Sequence, residues 1–289
     1  MITVVAAPPF ATIQDLGRFG FRDSGVPVSG LADRDSGLAL NRLLGNDPNA
    51  AMIEWAVAGG MLRFECDATI AIGGADASCA VNAERVREWS AHRMEAGSEL
   101  HVERIVRGRF LLIAVAGGVD VPIVLGSRST LMSAGIGGLH GRRLRSGDSL
   151  PIGSLAGDAA RAETSESTPE FAARVGGPIR VMRGPQADLF DDRAWSAFLD
   201  TEFTVSRASD RAGYRLDGVT LSHRGDAALP SEPTCLGAIQ VPDGGAPIVI
   251  MNDGPTVGGY PKIAVIRTSH LSRFAQLAPG ATVRFAIAR

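Results

Sequence analysis

The sequence predicts a mainly β protein built as two lobes. Short runs of β-branched and aliphatic residues recur along the 289 residues, and clusters of Gly, Pro, Asp or Asn separate most of them. The 35 glycines provide the tight turns and close backbone approaches that many short strands require. Helical patterns are few by comparison.

The runs that predict strands are short and are flanked by turn residues. They are Ile2–Val5, Met61–Phe64, Thr69–Ile72, Leu100–Ile105, Phe110–Ala116, Ile179–Met182, Phe203–Ser206, Ile248–Met251, Ala264–Ile266 and Thr282–Ile287. Three segments have a helical pattern instead. The clearest is Asp33–Leu44, which has an apolar stripe and ends at Gly45-Asn46. Asp188–Leu199 and Leu271–Leu277 are the other two.

A change of composition divides the chain. Residues 156–177 are rich in Ala, Ser, Thr and Glu without a strong period, which indicates an exposed linker. We therefore predict an N-terminal β lobe over 1–155, a linker over 156–177 and a C-terminal β lobe over 178–289. Two similar turn-and-strand segments, Gly147–Ile152 and Gly280–Phe285, close the lobes and suggest a duplication.

Bulk properties argue against several classes of protein. A net charge of −2 provides no basic field for nucleic acid or anionic membranes, and the apolar runs are too short to span a bilayer. The N-terminus lacks the pattern of a secretory signal. The three cysteines are widely spaced, so we expect small core residues in a reducing cytoplasm. The five histidines are isolated, so we predict no metal site.

Lys262 is the only lysine among the 29 Lys and Arg residues. Arginine can replace lysine where a plain positive charge is enough, but not where a compact ammonium or a titratable amine is required. Lys262 also ends a turn-rich polar segment, Asn252–Lys262, of the kind that often carries binding groups. It is therefore either a remaining surface charge or a functional amine.

Two polar segments of the C-terminal lobe could bind a small anion. In Ser209–Leu216 an arginine could clamp a carboxylate or phosphate, and Asp210 could hold that arginine in place. The alternative for this segment is a surface ion pair. The second segment carries side chains that could converge on one pocket: Gln240, Asp253, Thr256, Tyr260 and Lys262.

The N-terminal lobe has glycine-rich segments beside polar residues. Gly117-Gly118 precedes Leu125–Thr130, where backbone amides with Ser127 and Arg128 could cradle a phosphate or carboxylate. Such patches are otherwise plain turns, and no Gly-Lys-Ser/Thr follows. Ser29 or Asp33 could cap the first helix, whose N-terminus would then offer N–H groups to an anion.

These motifs, in this order, resemble the family known as KipA, allophanate hydrolase subunit 2 or the 5-oxoprolinase PxpC subunit. They are also similar to the carboxyltransferase region of urea carboxylase. The segments that carry the resemblance are Thr12–Arg18, Val115–Asp120, Leu125–Thr130, Gly184–Gln186, Ser209–Arg211, Gly213–Leu216, Gly237–Pro242 and Gly258–Lys262. They span almost the whole chain. One departure is Pro255, where the family pattern has a glutamine that could contact substrate.

The resemblance implies a cyclophilin-like β-barrel fold and a partner, the KipI/PxpB-type subunit. It implies a place in an ATP-dependent 5-oxoprolinase, which opens 5-oxoproline to glutamate with a third, PxpA-type subunit. A carboxyltransferase module of the urea carboxylase type is a second hypothesis. This chain has no Met-Lys-Met biotinylation site, so biotin would have to arrive on another protein. A third hypothesis is a KipA-type regulator that binds a KipI-like kinase inhibitor.

For the first hypothesis we assign roles to candidate residues. The predicted catalytic residues are Lys262, Asp210 and Asp253. The predicted substrate-binding residues are Arg211, Tyr214, Arg215, Gln240, Thr256, Tyr260, Ser127 and Arg128. A small carboxylate such as 5-oxoproline needs a cationic partner, for which the candidates are Arg211, Arg215 and Lys262. Its amide oxygen needs a donor, for which the candidates are Gln240 and Tyr260. We expect Lys262 and Asp210-Arg211 to line one cleft, and we expect the free chain to expose an apolar interface patch.

Overall fold

The computed structural model describes residues 1–56, 58–154, 176–224 and 229–288. Within these ranges short and long strands dominate, with three α-helices and two 3-10 turns. The mainly β, barrel-like architecture predicted from the sequence is confirmed. The predicted linker over 156–177 lies almost entirely outside the described residues, so its exposure stays a prediction.

The described residues divide into two compact units. One consists of residues 1–19, 29–56 and 58–154, and the other of residues 20–28, 176–224 and 229–288. The sequence put 20–28 in the N-terminal lobe, whereas the structure groups Gly20–Val28 with the C-terminal residues. Local turn bonds, such as Val26 N–H to the Phe21 carbonyl at 3.1 Å, shape this segment. Turn signals of this kind are local and do not indicate which unit a segment joins.

The first unit is one antiparallel sheet with a single described helix. Its elements in chain order are β1 (Ile2–Ala6), β2 (Phe10–Gln14), α1 (Arg34–Leu43), β3 (Met52–Ala56), β4 (Ala58–Phe64), β5 (Ala68–Val81), β6 (Glu84–Arg85), β7 (Ala91–Met94), β8 (Glu99–Val115) and β9 (Ser149–Leu150). The strand order is β2-β3-β8-β4-β1-β9, and β5 pairs with β6, β7 and β8.

Strand β8 is longer than the sequence predicted. Two strands were expected, Leu100–Ile105 and Phe110–Ala116, but the charged stretch between them continues the ladder. Strand β5 accommodates this length by shifting register at Gly74–Ala77, so that Asp76 pairs with Arg107. A bulge bends a strand without ending it. Charged residues therefore did not mark a turn here.

Alternate residues of β5 and β8 face two different apolar clusters. Ile70 and Ile72 belong to the larger cluster, whereas Ala71 between them belongs to a smaller one. The smaller cluster also contains Leu40 and Leu43 of α1. Side chains alternate across a strand, so the sheet is buried on both faces where α1 covers it.

The predicted first helix is confirmed as α1, and its N-cap is Asp33. The Asp33 carboxylate accepts hydrogen bonds from the Ser36 N–H at 3.1 Å and from the Ser36 hydroxyl at 2.6 Å. Ser29, the other candidate cap, donates its hydroxyl to the Thr130 carbonyl instead. Because a carboxylate already occupies the helix N-terminus, the proposed anion site there loses support.

The second unit contains most of its strands in one eight-stranded sheet. Its elements are β10 (Ile179–Arg183), a 3-10 turn (Ala187–Leu189), α2 (Asp192–Asp200), β11 (Phe203–Val205), β12 (Gly213–Asp217), β13 (Glu232–Pro233), β14 (Ala238–Gln240), β15 (Ile248–Ile250), β16 (Val257–Gly258), β17 (Lys262–Ile266), a second 3-10 turn (Thr268–His270), α3 (Leu271–Ala275), β18 (Thr282–Val283) and β19 (Phe285–Ile287). Strands β13 and β16 form a separate two-stranded ribbon.

The eight-stranded sheet curls into a nearly closed barrel. Its strand order is β18-β11-β12-β15-β14-β17-β10-β19. The strands at the two ends of this order are consecutive in the chain, with Arg284 alone between them, so the two edges of the sheet must lie close together. Buried aromatic rings pack against one another in this unit, including Phe198 of α2 stacked on Phe285 of β19 with centroids 4.9 Å apart. The barrel strands β14 and β17 carry Gln240 and Lys262 of the site described below.

Two of the three cysteines differ from the sequence prediction. Cys79 is a buried core residue as expected, and burial, aided by the negative charges of Glu88 and Glu103, raises the pKa of its thiol to about 12. Cys66 and Cys235 are exposed free thiols. Among the described residues, no helix is both long and apolar enough to cross a membrane.

Candidate functional site

Lys262 is buried at the start of β17. Its position in the fold is fixed by close backbone packing, because a Cβ atom at Gly184 would overlap the Lys262 carbonyl oxygen. On the other side Lys262 pairs with Gln240 across β14 and β17. The side chain of Lys262 is 3% exposed. A remaining surface charge is therefore excluded as an explanation for this lysine.

The ammonium of Lys262 is held by a carboxylate that the sequence analysis did not single out. Lys262 Nζ donates to Glu232 Oε1 at 2.5 Å, and Gln186 Nε2 donates to the same oxygen at 2.7 Å. Gln186 is fixed in turn because its Oε1 accepts from the Lys262 backbone N–H at 3.2 Å. The Glu232 side chain is 39% exposed, so this ion pair joins a buried cation to an anion that reaches solvent.

The hydrogen bond from Lys262 holds the pKa of Glu232 below its ordinary value. The hydrogen bond from Gln186 acts in the same direction, and the slight burial of Glu232 opposes both. Glu232 is therefore ionised at neutral pH and is a weak base. Its chemistry suits the positioning of an ammonium better than the removal of a proton.

Gln240 brings a buried donor to the same place. Gln240 is 4% exposed, and its Nε2 has no hydrogen-bond partner among the described residues. A Cβ atom at Gly258 would lie 2.8 Å from this nitrogen, and Gly258 is the direct partner of Glu232 on the β13–β16 ribbon. A buried donor without a partner costs about 1–3 kcal/mol. The amide of Gln240 is thus poised to donate to a ligand beside Glu232 and Lys262.

Arg22 attaches the segment Gly20–Val28 to the β13–β16 ribbon. Its Nη2 donates to the Thr234 carbonyl at 2.7 Å and lies 3.4 Å from the Thr256 carbonyl. The ribbon continues there, because Thr234 N–H donates to the Thr256 carbonyl at 2.9 Å. Thr256 itself is buried and contributes its carbonyl. The sequence analysis missed Arg22, since nothing local links it to residues more than two hundred positions away.

Asp253, not Asp210, holds Arg211. The Arg211 guanidinium makes two hydrogen bonds of 2.9 Å to the two oxygens of Asp253, and both side chains are largely buried. The Asp210 side chain instead accepts from the backbone N–H groups of Ala212 and Gly213 at 2.8 and 3.1 Å. Asp210 is thus an exposed turn residue that does not hold Arg211 as expected, and its catalytic role stays a prediction. The bidentate pair joins the ends of β12 and β15.

Tyr214, Arg215 and Tyr260 are not gathered around Lys262 by any described contact. Tyr214 is fully buried, and its hydroxyl donates to the Ala275 carbonyl at 2.7 Å, so it is a core residue of the barrel. Arg215 is the next residue on β12 and is exposed on the opposite face. Tyr260 is 46% exposed. The contacts of Tyr214 are those of a core residue, and its substrate-binding role stays a prediction.

Ser127 and Arg128 belong to a buried network centred on Asp15 in the first unit. Asp15 Oδ1 accepts from the hydroxyls of Ser127 at 2.6 Å and Ser129 at 2.5 Å and from Gly17 N–H at 2.8 Å. Asp15 Oδ2 accepts from the Arg128 backbone N–H at 2.6 Å. The Arg128 side chain pairs with Asp120 at 2.7 Å. The donors predicted to cradle an anion are thus used by a carboxylate of the protein.

The nearby glycines serve backbone packing. A Cβ atom at Gly117 would overlap the Gly153 carbonyl oxygen, and one at Gly137 would overlap the Ser129 carbonyl oxygen. Both glycines have positive φ angles, of 88° and 70°. They allow loops to pack closely and do not form an open phosphate cradle. The described residues also contain no group of three or more His, Cys, Asp or Glu that could hold a metal ion.

Comparisons with known proteins agree with this architecture. The model of the family "Carboxyltransferase domain, subdomain A and B" matches residues 24–287. The C subunit of the 5-oxoprolinase of Escherichia coli K12 is 38% identical over 287 residues, which cover 99% of this chain and 90% of that protein. The corresponding Haemophilus influenzae protein is 34% identical, with 99% of this chain and 90% of that protein covered.

The crystal structure of the K. lactis urea amidolyase has a TM-score of 0.91 to this chain at 29% identity. The match covers 100% of this chain but only 19% of that much longer one. The sequence and structural comparisons thus agree on the same family. The chain belongs to the carboxyltransferase domain family.

Proposed function

We propose that this chain is the C-type subunit of an ATP-dependent 5-oxoprolinase, a cytoplasmic enzyme that opens 5-oxoproline to glutamate. Similarity to two proteins named as the C subunit of 5-oxoprolinase, over nearly the full length of both chains, supports this choice. One structural observation carries it. The buried Lys262 pairs across β14 and β17 with Gln240, whose amide nitrogen has no hydrogen-bond partner among the described residues.

The chemistry of a lactam fits these two donors. When the amide bond of a cyclic amide is attacked, negative charge develops on its carbonyl oxygen, and preorganised donors stabilise that charge. An ammonium has three N–H donors, of which Glu232 takes one. Lys262 and Gln240 can therefore both donate to the substrate oxygen, while Glu232 and Gln186 keep the ammonium in place.

The remaining predicted residues have supporting roles in this proposal. Asp253 fixes Arg211 and so holds the adjoining ends of β12 and β15 together. We assign ATP use to the complex with KipI/PxpB-type and PxpA-type subunits. The first unit exposes large apolar side chains that are candidates for partner contact: Phe10, Phe19, Ile123, Leu125 and Met132.

A carboxyltransferase module of the urea carboxylase type is the second candidate, and the close structural match to urea amidolyase favours it. The same pair of donors would then stabilise an oxyanion during carboxyl transfer. The two candidates differ in the substrate, because urea has no carboxylate and 5-oxoproline has one.

Reconstitution with the two partner subunits tests the proposal. ATP hydrolysis by the three-subunit mixture should rise on addition of 5-oxoproline and not on addition of urea, and glutamate should form in step with phosphate. The control is the same mixture without this chain, which should show no 5-oxoproline-dependent hydrolysis. Urea-dependent hydrolysis, or hydrolysis that does not need this chain, would count against the proposal.

A further inference from the structure

Arg22 uses one nitrogen of its guanidinium to hold the β13–β16 ribbon. Its Nη2 contacts the Thr234 carbonyl at 2.7 Å, the Thr234 hydroxyl at 3.3 Å and the Thr256 carbonyl at 3.4 Å. An arginine has five N–H donors in a planar fork. Within the described ranges the Nε and Nη1 groups of Arg22 make no hydrogen bond, and no carboxylate lies within ion-pair distance. Several N–H donors of this guanidinium therefore remain for a ligand.

Arg22 contacts Thr234, and Thr234 lies beside Gln240. Thr234 Cγ2 and Gln240 Nε2 would lie 3.2 and 2.8 Å from a Cβ atom at Gly258, so the residue that Arg22 contacts adjoins the unpartnered amide. The positive charges of Arg22 and Lys262 both influence the pKa of the Cys235 thiol. Although the residue is exposed, partial burial of its sulfur raises the pKa of this thiol, whereas the charges of Arg22 and Lys262 act in the opposite direction. Both charges thus act on Cys235, which follows the Thr234 that Arg22 contacts.

The charges in this neighbourhood do not balance. Glu232 neutralises Lys262, and Asp253 forms a bidentate pair with Arg211. Arg22 is partly buried and has no anionic partner of its own among the described residues. A guanidinium fork of this kind matches the geometry of a carboxylate. A carboxylate of the ligand would therefore provide the anionic partner that Arg22 lacks among the described residues.

We infer that Arg22 binds the carboxylate of the substrate through the N–H donors of its guanidinium that Thr234 and Thr256 leave unused, while Gln240 and Lys262 donate to the amide oxygen. This inference rests on the proposed function and deepens it, because it names the residue that selects a carboxylate-bearing lactam over urea. It also replaces the candidates taken from the sequence. Arg211 is paired with Asp253, and Arg215 is exposed on the outer face of β12.

Steady-state kinetics of the reconstituted three-subunit enzyme test the inference. Arg22→Met should raise the KM for 5-oxoproline about 10- to 100-fold and leave kcat within about threefold of wild type, because a charge-assisted contact shared by ground and transition states is lost. Arg22→Lys keeps the charge and one bond to Thr234, so it should raise KM by less. Arg207→Met removes an exposed arginine of the same unit and is the matched control, with a wild-type KM expected.

Three outcomes would overturn the inference. A wild-type KM in both Arg22 variants would exclude carboxylate binding by this residue. A fall in kcat with KM unchanged, accompanied by a lower melting temperature, would reduce Arg22 to a structural tether. If the wild-type complex itself shows no 5-oxoproline-dependent ATP hydrolysis, the proposed function fails, and this inference fails with it for a separate and recognisable reason.

Discussion

Each of the two units buries a charged side chain, and the two charges are satisfied to different degrees. In the first unit Asp15 accepts four hydrogen bonds from Gly17, Ser127, Arg128 and Ser129. In the second unit Lys262 has one carboxylate partner and lies beside an amide without a partner. A buried charge surrounded by the donors of its own chain stabilises loops. A buried charge beside unused donors is prepared for a ligand.

The two units also differ in how far the protein itself satisfies the polar groups of their glycine-containing segments. Ser127 and Ser129 have hydroxyls of the type that bind anions, but Asp15 already occupies them. Near Lys262 the anion Glu232 occupies one donor of the ammonium and leaves others unused. The type of a residue is thus a weaker guide to function than the number of its donors and acceptors that are already bonded to other groups of the protein.

The largest expected effect is on Lys262. Lys262→Arg should lower kcat of the reconstituted enzyme about 100- to 1,000-fold, because a flat guanidinium cannot occupy an ammonium-shaped site and a transition-state donor is lost. The measurement is 5-oxoproline-dependent ATP hydrolysis together with thermal unfolding of the variant chain. Activity within a few fold of wild type, in a chain that folds normally, would show that Lys262 is only a structural charge.

The next largest effect is on the stability of the first unit. Asp15→Asn should lower the free energy of unfolding by about 2–4 kcal/mol. The amide NH2 group would then face N–H and O–H donors whose hydrogen bonds the carboxylate oxygen accepts in the wild type. Urea denaturation followed by fluorescence measures the change. Ser127→Ala, which removes one of the four donors, should cost about 1 kcal/mol and serves as the graded control. If Asp15→Asn were as stable as wild type, the hydrogen bonds to Asp15 would not stabilise the first unit, and the contrast with the Lys262 site would not hold.

A smaller effect concerns the pH dependence of the Lys262–Glu232 pair. The pKa of Glu232 lies below its ordinary value, so the stability that the pair contributes is present above the ordinary glutamate pKa of about 4.3 and is lost as pH falls through the lowered value. Lys262→Met should raise the Glu232 pKa toward the ordinary value. Carbon-13 NMR titration of the side-chain carboxyl measures this change. An unchanged Glu232 pKa in the variant would show that Lys262 does not lower the pKa of Glu232.

The smallest effect is expected at Tyr214. Tyr214→Phe removes one buried hydrogen bond to the Ala275 carbonyl and should cost about 1 kcal/mol of stability. The KM and kcat of the reconstituted enzyme should stay at wild-type values, because the hydroxyl faces the barrel interior. A raised KM with unchanged stability would restore the substrate-binding role that the sequence suggested. Thermal unfolding and kinetics on the same preparation distinguish the two results.

Local patterns in the sequence predicted the elements of the fold but not the partners within the site. The apolar stripe of Asp33–Leu44 and the runs of β-branched residues depend on neighbours, so α1 and most strands were identified. The biased use of arginine drew attention to Lys262. Its partner Glu232 is 30 residues away, and Asp253 is 42 residues from Arg211. For Arg211 the sequence suggested the adjacent Asp210 as partner, because a sequence shows which residues are neighbours in the chain but not which are neighbours in space.

The short segment Gly20–Val28 has a consequence for how this chain can evolve and be recombined. Its Arg22 contacts Thr234 across 212 positions of sequence, so the second unit is not encoded by a continuous stretch of the gene. A hybrid of two relatives joined by a single crossover near residue 155 would combine the segment of one parent with the ribbon of the other. Functional exchange would require two crossovers, so that these few codons travel with the C-terminal half.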